Sequence, residues 1–173
     1  MGIVMAFGSP EAAPQREKSR LGCLAFVALL TGAAVLVGRH YWEGLQKGAA
    51  RSNAYDVLAA QRTAWNDGDL AKFTATYRLH EDLTFFSEGR AYKGWEQVNE
   101  RYRLMYGGRP MGELAYDDVT IDVLNSDAAM IRGKWTVKSD AGTRTGLFTM
   151  LVRRFPLEDW KVVHDHMTIG EMR

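Results

Sequence analysis

The sequence predicts an α+β domain in which three helices and a short hairpin pack on a curved antiparallel sheet. Three observations carry this reading. Apolar residues recur at helical spacing in the stretch from residue 52 to residue 106. Four strand-like segments follow from residue 113 onward, and short clusters of turn residues separate them. Helices first and a meander afterwards put the helices on one face of the sheet. A sheet wrapped around a helix leaves a cone-shaped cavity, the natural place for a ligand.

The elements follow in order. Ser52 or Asn53 can cap a helix that carries Tyr55, Leu58, Ala59, Arg62 and Trp65 through residue 66. In Asn66-Asp67-Gly68-Asp69, Gly68 suits a left-handed helix end and Asp69 can cap the next helix. That second helix, about 70–78, buries Leu70, Phe73 and Tyr77. LTFFSEGRAYKG, residues 83–94, reads as a hairpin turning at Glu88-Gly89. WEQVNERYRLMY is a third helix with Trp95, Val98, Tyr102 and Met105 on one side, ended by the GGRP of residues 107–110. Strands are expected at 113–124, 127–138, 144–155 and 160–169. Their turns fall at Asn125-Ser126, Asp140-Ala141-Gly142 and 156–159. The segment 144–155 has bulky apolar residues on both faces: Phe148, Met150 and Val152 on one, Leu147 and Leu151 on the other. One layer of helices covers one face only, so a homodimer through the open face of the sheet is expected.

The part before residue 52 has a different character. Residues 1–20 are rich in small residues and end in a charged cluster, which reads as a disordered tail. Residues 21–38, LGCLAFVALLTGAAVLVG, carry no charge and are flanked by Arg16, Lys18 and Arg20 on one side and Arg39 on the other. Tyr41 and Trp42 sit where an interfacial anchor belongs. The stretch is at the short end for a membrane-crossing helix and slightly long for a secretory core. Cleavage at Gly32-Ala33-Ala34 would strand Val35-Leu36-Val37 on the mature end. The expectation is therefore an uncleaved single-pass anchor, with a linker over 39–51 and the domain over 52–173. The basic cluster puts the domain on the outer or periplasmic side; secretion after signal cleavage is the alternative.

Composition excludes several classes. Lysine plus arginine, 22, nearly equals aspartate plus glutamate, 21, so no basic excess points to nucleic acid. Cys23 is the single cysteine and lies in the apolar run, leaving the domain without a disulfide or a thiol nucleophile.

The motifs AWNDGDLAKFTATY, GRAYKGWEQVNERY, SDAAMIRGKW, GLFTMLVRRF and DWKVVHDHMT occur in register over residues 52–169. In that order they resemble the nuclear transport factor 2-like superfamily. More narrowly, they resemble SnoaL-like domains of unknown function related to the calmodulin-dependent kinase association domain. The resemblance implies the cone-shaped fold and leaves the activity open, because that fold serves enzymes, adaptors and oligomeric hubs alike. In the kinase association domain an arginine matches Trp135, so Trp135 argues against carrying over that domain's anionic-ligand pocket.

The candidate chemistry gathers on the closing strand. Strict alternation puts Trp160, Val162, His164 and His166 on one face, with Lys161, Val163, Asp165 and Met167 on the other. On that reading Asp165 cannot orient its neighbouring histidines. His164 and His166 could chelate a metal, yet His80, Glu81, Asp82 and Glu88 form no second tight motif, so neither a metal nor another cofactor is expected. The two histidines either complete packing or serve a pocket as binding or acid–base groups. Trp135, beside Gly133, is placed to floor an apolar pocket or to pack in the core. Trp65 and Tyr77 are core residues whose polar tips can reach the cavity. Arg153, Arg154, Glu100 and Arg103 read as solvated charges, and Arg132 as part of a dimer surface.

Two functions result. The first is a membrane-tethered module that binds a small apolar ligand or oligomerises, with Trp135, His164, His166, Trp65 and Tyr77 around the ligand. The alternative is a cofactor-independent acid–base enzyme acting on a hydrophobic carbonyl compound, with His164, His166 and Asp82 as the groups available for catalysis.

Overall fold

Helix α1 runs from Arg16 to Asn66, and the structure, a computed structural model, describes residues 16–170, with side chains for residue 29 and for 31–170. The chain divides into two units, residues 1–43 and 44–173. In the first, the described part is helical, with Leu29, Val35, Leu36, Val37, Tyr41 and Trp42 exposed. Residues 39–51, expected to be a linker, are helical as well. Most of the expected tail, residues 1–15, lies outside the described residues, as do the side chains of residues 21–28 and 30 of the expected span. Among the described residues no helix is long and apolar enough to cross a membrane.

In the second unit, α1 buries Ala50, Ala54, Val57, Leu58, Gln61, Ala64 and Trp65, a stripe at three- and four-residue spacing. Leu58 and Trp65 belong to it as expected, whereas Tyr55 is exposed. Gly68 ends the helix at φ 71°, and the Asp69 side chain accepts from the Lys72 amide at 2.9 Å, capping α2 (Leu70–Thr74). This helix is shorter than expected. The chain leaves it so that the Arg78 amide donates to the Val162 carbonyl and the Val162 amide to that of Thr76.

Strands β1 (Thr84–Ser87) and β2 (Arg90–Lys93) form the expected hairpin, with Glu88 and Gly89 both at positive φ. Helix α3 (Trp95–Tyr106) turns Val98 and Tyr102 inward. Strands β3 (Glu113–Asn125), β4 (Ala128–Ser139), β5 (Gly142–Phe155) and β6 (Asp159–Met167) form the antiparallel meander. The sheet order is β2-β1-β6-β5-β4-β3, and β1 joins β6 in parallel. Its inner face presents Ile121, Ile131, Met150, Val152 and Val162, all buried, to the helices. Burial of a side chain of this size contributes about 1.5–3 kcal/mol.

One irregularity decides which residues the core receives. Leu151 pairs with His164 and its neighbour Val152 with Val162, so Val163 is an extra, bulged residue. The bulge reverses the alternation expected for the closing strand. Trp160 and Val162 point inward before it and Asp165 after it, while His164 and His166 turn to the opposite face.

Candidate functional site

The residue delivered to the centre of the cone is therefore an aspartate. Asp165 sits between Met150 on β5 and Phe85 on β1 and is fully buried. The hydroxyl of Tyr77, fixed by the backbone bonds on either side of it to Val162, donates to Asp165 Oδ2 at 2.7 Å. The Tyr102 hydroxyl, from α3, lies 3.3 Å from that of Tyr77 and 4.0 Å from Met167 Sδ. A second polar pair comes from α1 and β3: the Tyr116 hydroxyl donates to Gln61 Oε1 at 3.1 Å. Asp165 Oδ1 and Gln61 Nε2 are buried and have no hydrogen-bond partner.

The surround is aromatic. Trp65 meets Phe73 and Tyr106 edge-on at 5.0 and 4.7 Å, and Tyr102 packs against Phe73 and Phe85. Burial in this setting pushes the Asp165 carboxyl up to about 7, although the Tyr77 hydrogen bond works in the other direction. Burial, and then the charge of Asp165, raise the hydroxyls of Tyr77, Tyr102 and Tyr116 above the usual phenol range. Near neutral pH such a carboxyl occurs in both forms. It can donate a hydrogen bond or accept one, and it can exchange a proton with a bound group.

The other expected site residues lie elsewhere. His164 accepts from or donates to Thr84 Oγ1 at 2.6 Å through Nδ1, and its ring stands edge-on to Phe86. His166 also lies beside Phe86, on the outer face of the sheet. Burial and the neighbouring His166 lower the pKa of His164. Asp82 is exposed, with its backbone amide donating to His80 Nδ1 at 3.1 Å and its Oδ2 3.3 Å from the same nitrogen. The space expected over Gly133 is filled: a Cβ there would meet the Phe148 ring at 2.9 Å. Trp135 is a core residue whose Nε1 donates to the Thr168 carbonyl, and Trp65 Nε1 donates to that of Met111. Among the described residues no three His, Cys, Asp or Glu side chains converge as metal ligands.

Of the expected residues, only Tyr77 and Trp65 belong to the central cluster. Asp165, Tyr102, Tyr116 and Gln61 were not anticipated there. The readable signal was Asp165 itself, a carboxylate inside an apolar strand. Surface grooves lie apart from this cluster, one of about 630 Å³ along residues 79–81 and 93–97, another of about 550 Å³ between β2 and α3.

No protein-family model and no curated protein matches the chain. Solved structures do. A nuclear transport factor 2-like protein of unknown function from Shewanella oneidensis is 31% identical, with a TM-score of 0.64 over 68% of this chain and 98% of that one. A candidate calcium/calmodulin-dependent protein kinase II association domain from Xanthomonas campestris is 12% identical, at a TM-score of 0.56 over 68% and 85%. A candidate ketosteroid isomerase from Parabacteroides distasonis is 15% identical, at a TM-score of 0.56 over 66% and 86%.

Proposed function

The chain belongs to the nuclear transport factor 2-like family, and on that premise we propose that its cone binds a small, mostly apolar molecule through one oxygen-bearing group. The observation that carries this reading is Asp165, buried, braced by Tyr77 on one oxygen and unpartnered on the other. A buried carboxyl with an unused oxygen is costly, and a ligand hydroxyl or carbonyl at Oδ1 would remove that cost. Aromatic side chains fill the cone, so a ligand must displace some of them to reach Oδ1.

The raised pKa of Asp165 favours a second reading, in which the same carboxyl moves a proton on a bound carbonyl compound. A thermal-shift screen of apolar ketones and alcohols against the full chain tests both. Hits should lose roughly tenfold in affinity in Asp165→Leu, the value of a hydrogen bond to such a group. Equal binding by parent and variant rejects the cone as the site. Deuterium exchange at the carbon next to the ketone, lost in Asp165→Asn, supports proton transfer. No exchange in the parent leaves binding alone.

The proposal has two further parts. Residues 21–38 tether the domain to a membrane with the domain outside, supported by the uncharged run and the exposed Leu29, Val35, Leu36 and Val37. The outer sheet face, where Phe86 and Leu147 are exposed, pairs two copies. The full chain should remain in carbonate-washed membranes, be cut by protease added to intact cells, and sediment in detergent as two chains. Recovery in the soluble fraction removes the tether, and a monomer that Leu147→Lys does not change removes the dimer.

A further inference from the structure

A second polar cluster lies apart from Asp165, at the hairpin turn. Glu88 receives both Arg101 and Arg144: Arg101 Nη2 stands 3.0 Å from Oε2 and Arg144 Nη2 stands 3.6 Å from Oε1. Among the described residues neither guanidinium has another carboxylate partner within ion-pair distance, so two cations share one anion. Neutral groups hold both arginines in position. Arg101 donates to the Tyr92 hydroxyl at 2.7 Å and to Ser87 Oγ at 3.3 Å, and Arg144 donates to the Tyr106 hydroxyl at 3.3 Å. Glu88 supplies charge to a site that its neighbours already shape. It does so from a turn position at φ 53°, where Asn, Asp or Gly is the usual choice.

Arg101 also lines the groove of about 550 Å³ between β2 and α3, whose walls include Tyr92, Leu104 and Met105. Leu104 is exposed there, with no core role. The groove, lined also by Arg90, Glu96, Gln97 and Glu100, brings apolar surface up to one of the two guanidiniums, and an anion with an apolar tail matches that juxtaposition.

We propose that Arg101 and Arg144 bind the carboxylate of an amphipathic monocarboxylic acid whose apolar tail lies along Tyr92, Leu104 and Met105, and that Glu88 is the built-in occupant it displaces. The exchange needs only a side-chain rotation of Glu88 into solvent. The backbone of the turn stays in place, and the arginines keep their hydroxyl partners.

Calorimetric titration of the full chain with hexanoate tests this, with hexan-1-ol as the neutral counterpart. Glu88→Gln should bind hexanoate about tenfold more tightly than the parent, and Arg144→Gln about tenfold more weakly, the usual worth of a charged hydrogen-bonding partner. Arg144 is the arginine to replace because Arg101, with only 13% of its side chain exposed, is the more structural of the two. Hexan-1-ol should bind more weakly than hexanoate, and Asp165→Asn should leave hexanoate binding unchanged. Three results overturn the proposal: no saturable binding of hexanoate to Glu88→Gln, equal binding of the alcohol, or an affinity that follows Asp165 instead of Arg144. The last would return the acid to the cone and leave the reading of Asp165 standing.

Discussion

Asp165→Asn is expected to make the domain more stable at pH 8 by about 2–3 kcal/mol and to flatten its stability between pH 4 and pH 8. The carboxyl has a folded-state pKa of about 7 against an ordinary value of 3.8. At about 1.4 kcal/mol per pH unit, that displacement is worth roughly 4 kcal/mol. The sign follows from which state holds the proton. Between the two pKa values the folded chain keeps the proton and the unfolded chain releases it, so stability falls as pH rises through this window. The contribution is fully present below about pH 4 and is lost above about pH 7. Asparagine cannot ionise and still accepts from Tyr77. Its amide NH2 finds no better partner at Oδ1's position, which reduces the gain. Urea denaturation of parent and variant at pH 4, 6 and 8 measures the difference, and subtraction removes contributions common to both chains. Parallel pH profiles would mean that Asp165 is not the buried acid of this fold.

The gain has a functional corollary. A replacement that stabilises the fold identifies a residue kept for some other purpose, since marginal stability leaves several kcal/mol as a substantial sacrifice. This separates the aspartate from its aromatic neighbours, whose truncation would remove packing.

Much of this architecture was legible in the sequence because it depends on local rules. Gly68 and Asp69 announce a stop and a cap, Glu88-Gly89 a tight hairpin, and the meander shows in its turn residues. What stayed hidden depends on distant partners. α2 ends early because Tyr77 pairs with Val162, more than eighty residues away in the chain. The room left by Gly133 is taken by Phe148 from the next strand. The closing strand departs furthest from its expected form. Period-two alternation is correct on either side of Val163, but one bulged residue reverses every assignment after it. No local feature of VVHDHM marks the bulge. It lies where the strand's neighbour changes from the Tyr77 segment to β1. The histidines, the chemically versatile residues of this strand, lie on the outer face, and the aspartate between them reaches the core.

The second large effect is expected at Gly146, which stands in no turn. Gly146→Ala should destabilise the domain by roughly 3 kcal/mol or more. A Cβ at this position would stand 1.9 Å from the Thr168 carbonyl oxygen and 2.8 Å from Trp135 Nε1. Both neighbours are rigid: one is backbone, and the other is a buried indole that donates to that same carbonyl at 3.1 Å. The alanine must therefore push the closing segment off the sheet. The bonds at risk are Trp135 to Thr168, the Thr168 amide to the Leu147 carbonyl, and the Gly170 amide to that of Thr145. Each net hydrogen bond contributes about 1 kcal/mol, and overpacking in a filled core costs a further 1–3 kcal/mol. Trp135 would gain access to water, so its fluorescence should shift to the red as stability falls. A truncation after Met167 gives the decisive comparison. In a chain that lacks Thr168 the backbone obstacle is gone and the Trp135 indole has lost the carbonyl that anchors it, so Gly146→Ala should then cost well under about 1 kcal/mol beyond the truncation itself. If it costs as much in the truncated chain as in the full one, the strain lies within β5, and the closing segment is not what the glycine makes room for.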